Sequence, residues 1–318
     1  MKEWLPLIDL TFRDGGFFEH EERCFRYESD NSLWIRQGAS FLQSYLDETS
    51  RTFGAHATEI QMDESGRQTI NSHVSKSTHG MIPEVFQGSM SRQGVLVATS
   101  ALWFSSEWKY PFPQEDTQSN VFHSSGGDLA LPFMHRIGKF ACFGQDGFNW
   151  IQIPYVGEHF DLEVSVPEPG HTVHELTHGE KLQTILEHNE EFFSKEQFSG
   201  CISLSIPKFS LSFGESLVQS LVDLETGCLF KSNADFSNMT NMSESIIVSD
   251  VIHNVRISLN EFGTEVSSPT LELRKTEKLP KKEEVPKPFR IDRPFFFLVR
   301  HRESGLILLI GRIENPAT

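Results

Sequence analysis

The sequence predicts an α/β chain of the α+β type, with large, mostly antiparallel central sheets and helices around them. Three observations predict it. Segments rich in β-branched and aromatic residues far outnumber segments with helical spacing. Gly94 to Phe104 is a near-continuous apolar run, the pattern of a strand buried on both faces at the centre of a sheet. The C-terminus reads as an apolar hairpin: Arg293 to His301, a turn over Arg302-Glu303-Ser304-Gly305, then Leu306 to Ile313.

The elements follow in chain order. Residues 1 to about 32 are polar and irregular, with Gly15-Gly16 and a charge cluster from Glu19 to Arg26. A helix is expected over 37–53, then a short extended piece at Ile60-Gln61-Met62. Thr69 to Ser77 has helical spacing, with Ile70, Val74 and His73 on one face and with Gly80 and Pro83 to end it. Strand and turn patterning runs from Phe122 to Tyr155, and Phe160 to Val166 alternates, placing Leu162, Val164 and Val166 on one face. A helix is expected at 179–194, strands at 201–207 and ending near Phe213, a helix at 214–224, and a strand through Ile246, Val251 and Ile257.

Composition bounds the function. The chain has 318 residues, 23% charged and 38% hydrophobic, with a net charge of −16. That balance suits a globular domain and argues against general nucleic-acid binding, which needs a basic face. From Arg274 to Arg293 the trend reverses, with eight Lys or Arg and four Asp or Glu. This stretch is either a solvated charged loop or bait for an enzyme that selects basic side chains. Cys24, Cys142, Cys201 and Cys228 fit no zinc or redox spacing and are expected as free buried thiols, although two pairings remain open. Met1 to Leu10 is too short and interrupted for a signal peptide, and no run reaches the length of a membrane span. Asn238-Met239-Thr240 and Asn241-Met242-Ser243 would accept glycans in a secreted protein, and such triplets also arise by chance.

Asn260-Glu261-Phe262-Gly263-Thr264-Glu265-Val266-Ser267-Ser268 lies about thirty residues before the hairpin. Small and hydroxyl residues there form a polar loop tethered to buried segments at both ends, which suits a bait or a switch. The segment resembles the hinge of the serpin family, whose C-terminal signature resembles Asp292-Arg293-Pro294-Phe295 with Arg300-His301 and Gly311-Arg312. The wording from Ile291 to His301 is similar to the plasminogen-activator-inhibitor branch. Gln68 to Val74, Trp103 to Phe112, Pro154-Tyr155, Ile206 to Phe209 and Ala234 to Met239 resemble further motifs in the family's order. The resemblance covers about 33–316, so residues 1–32 stay unassigned and residues 33–318 are expected to be a serpin-like domain. That domain is expected to lack the family's first helices, and its exposed reactive-centre loop to run over about 261–291.

The resemblance implies a serine protease inhibitor that works by loop cleavage, acyl-enzyme trapping and strand insertion, the chemistry belonging to the protease. The alternative is a non-inhibitory member acting as a binding or carrier protein, or an inactive truncated isoform. The hinge would be Glu261, Gly263, Thr264, Glu265, Val266, Ser267 and Ser268. From Gly263, inward positions would alternate as Thr264, Val266, Ser268, Thr270, Glu272 and Arg274. Pro269 departs from the pattern, since proline cannot donate to a ladder; the penalty is about 3 kcal/mol by analogy with helix interiors. Counting from Gly263 puts the cut bond at Glu277-Lys278, whereas a trypsin-like protease would choose Arg274, Lys275 or Lys278. Trp108 matches the breach and His253 the shutter, where the family's Asn is replaced by Ser100. The implied molecule is an extracellular, glycosylated monomer that is no enzyme, needs no cofactor, and binds a trypsin-like serine protease but neither nucleic acid nor membrane.

One motif competes. His174-Glu175-Leu176-Thr177-His178 matches the H-E-x-x-H zinc-protease pattern. Gly170 and Gly179 leave no long active-site helix around it, so a chance surface match is the expectation and no metal is implied.

Overall fold

A computed structural model describes residues 25–86, 88–91, 93–186, 198–241, 246–265 and 285–317. Val266, Ser267, Ser268, Pro269, Arg274, Lys275, Glu277, Lys278 and Cys24 lie outside the described residues. In chain order the elements are β1 (Phe25–Arg36), α1 (Gln43–Phe53), β2 (His56–Ile60), α2 (Glu64–Ser77), β3 (Leu96–Glu107), β4 (Gln118–Ser124), β5 (Gly127–Gln145), β6 (Phe148–Pro154) and β7 (Phe160–Pro167). There follow α3 (Gly179–Leu186), β8 (Phe198–Pro207), β9 (Phe209–Ser216), α4 (Val218–Leu221), β10 (Val248–Leu259), β11 (Gly263–Thr264), β12 (Lys287–Arg290), β13 (Phe295–His301) and β14 (Ile307–Ile313). Two compact units result: Arg26–Phe104 with Ser212–Ile257, and Ser105–Leu211 with Ser258 onward, to which Phe25 also belongs.

The first unit orders its strands β2-β1-β3, with β10 paired to β3 and β9 beside β10. Two pairings in this unit are parallel within a mostly antiparallel fold. β1 pairs β2 in parallel from Ser32↔His56 to Arg36↔Ile60, and β10 pairs β3 in parallel from Val248↔Leu96 to Val255↔Leu102. A parallel pair needs a long crossover, and α1 supplies it between β1 and β2. α2 packs Ile70 and Val74, both fully buried, with Trp34, Val97, Ala101 and Ile252. Ile35, Ala39, Val95, Leu96 and Ile246 form a further core with Phe41 and Leu46 at its edge.

Five expectations need correction in this unit. The stretch 25–32, expected to be irregular, is the first part of β1, and the boundary drawn between 32 and 33 falls inside that strand. β3 is fully buried on one face, through Val97, Thr99, Ala101 and Trp103, while its other face is buried at Leu96 and Phe104 and half-buried at Ala98, Ser100 and Leu102. α1 begins at Gln43 rather than 37, because Gly38 turns with φ 80° and Phe41 makes a β-bridge to Thr240. The helix expected at 214–224 starts late and is short, with a wider helical turn following it from Val222. Residues up to Ser216 extend β9, held by Ser216 Oγ donating to Asp250 Oδ1 at 2.5 Å, and only Val218–Leu221 is α-helical. α2, in turn, starts earlier than expected, at Glu64, where Asp63 caps the Ser65 and Gly66 amides; His73 sits half-exposed on Asp30 at 2.8 Å.

The second unit holds a sheet in the order β12-β8-β5-β6-β7-β13-β14, with β4 on β5. All of its pairings are antiparallel except β12 on β8. β7 lies between β6 and β13, so the alternation read in its sequence does not leave one face wet: Asp161, Glu163 and Ser165 are buried as well. Arg300 Nε donates to both Glu163 oxygens at 3.3 Å, and Arg302 grips Asp161 through two bonds of 2.6 Å. The apolar hairpin β13–β14 forms as expected, with Phe296 and Leu298 packed against Trp150, Leu176 and Ile185. Among the described residues, no helix is long and apolar enough to cross a membrane.

Candidate functional site

The site grows from one tight turn in the second unit. The Asn260 side-chain oxygen accepts from the amides of Phe262 (2.9 Å) and Gly263 (3.3 Å), and the Asn260 amide donates to the Gly263 carbonyl at 3.0 Å. This Asx-type turn reverses the chain after β10. β11 emerges from it and pairs antiparallel on both sides: Thr264 with Leu259, and Gly263 and Thr264 with Glu107 and Ser106 at the end of β3. Only glycine fits at 263, because a Cβ would lie 2.1 Å from the Ser106 carbonyl oxygen.

Aromatic and charged side chains lock the turn. The Trp108 amide donates to the Phe262 carbonyl at 2.8 Å, and its indole Nε1 donates to the Asn260 carbonyl at 2.9 Å. Trp108 stacks on Tyr155 with centroids 4.7 Å apart, and the Tyr155 hydroxyl lies 2.6 Å from the Thr264 hydroxyl. Thr264 is fully buried, and burial pushes the Tyr155 phenol well above its ordinary range. Glu261 is 4% exposed. It accepts from Lys208 Nζ at 2.8 Å and from the Thr117 hydroxyl at 2.8 Å, while its carbonyl receives the Phe112 amide at 2.9 Å. Burial works against the Glu261 charge, but the Lys208 and Thr117 hydrogen bonds outweigh it and hold the carboxyl below the usual range.

Glu265 ends the guest strand. Its amide donates to the Ser258 carbonyl at 2.8 Å, and its φ is 52°. A left-handed residue that is not glycine costs roughly 1–2 kcal/mol, so the pairing around it holds the chain in a bend just past the sheet.

The expected residues thus separate into three sets. Glu261, Gly263, Thr264, Glu265 and Trp108 come together in the second unit. Ser100 and His253 face each other in the first, as directly opposed residues of the β3–β10 ladder. No side-chain hydrogen bond joins that pair among the described residues, and burial lowers the His253 pKa. Asn238 and Asn241 are exposed, while the Thr240 hydroxyl is buried and donates to the Ser40 carbonyl. Of the cysteines, Cys142 and Cys201 are free and buried, but Cys228 is free and exposed, against expectation. Lys208, Thr117 and Tyr155 are partners of the Asn260–Glu265 turn that the sequence did not reveal. Nothing in a single sequence links Glu261 to a lysine 53 residues away.

Of the H-E-x-x-H residues, His174, Glu175 and Leu176 lie on a 3-10 turn, Val173–Leu176, Thr177 caps it and His178 lies beyond it. Glu175 closes a capping box on Thr172 and bonds His171 at 3.0 Å; these contacts, His171 first, bring its carboxyl down to about 2. His174 accepts from Arg312 at 2.9 Å and faces Glu314, and the His178 ring lies 3.0 Å from the His174 carbonyl. Each side chain is occupied by a neighbour, and no metal-binding group of three is present among the described residues.

Comparison with known proteins bears on all of this. A family model described as Serpin (serine protease inhibitor) matches residues 16–316. An uncharacterized serpin-like protein of Thermococcus kodakarensis is 31% identical over 92% of this chain and 67% of its own length. Plasminogen activator inhibitor 1 of Sus scrofa is 29% identical over 90% and 71%. Human thyroxine-binding globulin in complex with its hormone superposes with a TM-score of 0.83 at 21% identity, covering 99% of this chain and 80% of that one.

Proposed function

This chain belongs to the serpin family, and on that premise we propose that it inhibits a trypsin-like serine protease outside the cell, using a reactive-centre loop between β11 and β12, inside the expected 261–291. The protease serine attacks a loop carbonyl at Arg274, Lys275 or Lys278 and forms an acyl-enzyme. The freed loop then enters the sheet as a new strand before water can hydrolyse the ester, and the dragged protease loses its active geometry. One observation supports this above all: Gly263–Thr264 is already a strand with ladder partners on both sides.

The test is incubation with trypsin. A covalent complex that survives SDS, together with a sharply higher melting temperature after cleavage, is expected. A cut loop with no complex and an unchanged melt sinks the proposal.

A second reading, a member that binds a partner without trapping proteases, is favoured by Ser100 opposite His253 and by Pro269 in the loop. It predicts cleavage without a complex whether or not the melt rises.

A further inference from the structure

The loop proposed as bait returns to the second unit at β12, and the sheet face beside β12 has its own chemistry. Directly opposed strand residues share a face. Arg290, Ser205 and His135 therefore form one row across β12, β8 and β5; Pro288, Ser203 and Ile137 form the next; Cys201 and Lys139 form a third. Arg290, Pro288, Ile137 and Lys139 are exposed, Ile137 by 45%. Ile202 and Leu204 point the other way and are fully buried. Strand spacing of about 4.8 Å and a rise of about 3.4 Å place Arg290 and Lys139 roughly 17 Å apart, with the apolar pair between them.

No carboxylate stands in these three rows. Asp116 acts on His135 from the margin, opposed in sign by Arg290. On a chain of net charge −16 this is an inverted patch. It continues the basic bias of the neighbouring segment, where Arg274, Lys275, Lys278, Lys281 and Lys282 fall within nine residues.

We propose that the outward face of β12, β8 and β5 is a docking surface for the target protease, and that the protease presents acidic residues around an apolar spot beside its active site. The inference rests on the reading of the loop as bait. A cut at Lys278 is tethered to β12 by a short stretch of chain, nine residues ahead of its start at Lys287, which keeps an enzyme held there within reach of this face. An apolar centre flanked by charges is the layout of a protein interface. A sulfated polysaccharide would want an unbroken track of cations, and Ile137 and Pro288 interrupt it. Complementary charge acts mostly on the rate of encounter.

Anionic and cationic trypsin cut after the same side chains but differ in surface charge. Cleavage of the loop, read by gel, is timed with both enzymes for the wild type and for Lys139→Glu/Arg290→Glu, each with a melt to confirm folding. Lys139→Gln/Arg290→Gln serves if the reversal does not fold. Anionic trypsin should react about tenfold faster than cationic trypsin at low salt, and the substitutions should remove that advantage and flatten the salt dependence. Unchanged rates, or equal losses with both enzymes, overturn the docking surface. So does heparin accelerating the wild type but not the variant, which would give the face to a polysaccharide. If neither trypsin cuts within 266–284, the bait reading fails and takes this inference with it; cleavage without charge preference removes only the docking surface.

Discussion

Lys208→Ala should loosen the Asn260–Glu265 turn by a predictable amount. Lys208 supplies two bonds to Glu261, at 2.8 and 3.0 Å, and the Glu261 side chain is only 5% exposed. Removing one partner of a fully buried pair costs about 3–5 kcal/mol, because the remaining charge is left desolvated. Two features reduce that here. Lys208 is itself 34% exposed, so water already screens its side of the pair, and Thr117 still donates to Glu261. The expected loss is about 2 kcal/mol, or roughly 3 °C in melting temperature for a chain of this length. The loss should depend on pH. Glu261 has a folded pKa below its unfolded value of about 4.3, so its pairing stabilises fully above that value and is lost as pH falls through the folded pKa. Urea titrations of wild type and variant should therefore differ at pH 7 and converge in acid. Glu261→Gln in the Lys208→Ala background should recover part of the loss, since it removes the stranded charge. A variant within about 0.5 kcal/mol of wild type at pH 7, inside the usual range for surface changes, would refute the claim that this pair anchors the turn.

Three further outcomes are expected. Tyr155→Phe leaves the buried Thr264 hydroxyl without its partner and should cost about 1–2 kcal/mol in denaturant titration. Gly263→Ala puts a methyl group 2.1 Å from the Ser106 carbonyl, so hydrogen exchange at the Trp108 amide, which donates to Phe262, should speed up markedly. Burial pushes the Glu163 carboxyl up to about 6 against the pull of Arg300. An acid raised in the folded state opposes folding when ionised, so stability should rise as pH drops from above 6 toward about 4.3, and Glu163→Gln should flatten that slope.

What the sequence made legible is what local pattern encodes. The β13–β14 hairpin stands out because its apolar run has no other use, and the Asn260 to Glu265 wording is distinctive enough to mark the turn. The partners of that turn were hidden because they come from residues 109 and 144 positions away in the cases of Tyr155 and Thr117. β1 escaped notice because Arg26 and Ser29 are exposed and polar, as an outlying strand end tolerates. The helix expected from 214 starts only at Val218, because Ser216 and Leu217 find hydrogen-bond partners on β10 that an earlier start would forfeit. Asp63, a strong N-cap, would have placed the start of α2 correctly had its side chain been weighed ahead of the apolar spacing.

The two rungs made by Gly263 and Thr264 bear on kinetics. A strand growing into a ladder faces its steepest cost at nucleation, when chain freedom is surrendered for the first bonds. Here that toll has been met before any cut is made. If the loop inserts as proposed, further growth along the same line would part the parallel rungs of β3 and β10 and set an antiparallel seam on each side of the newcomer. Antiparallel rungs are slightly stronger per residue, so each step of such a zipper exchanges one weaker seam for two stronger ones.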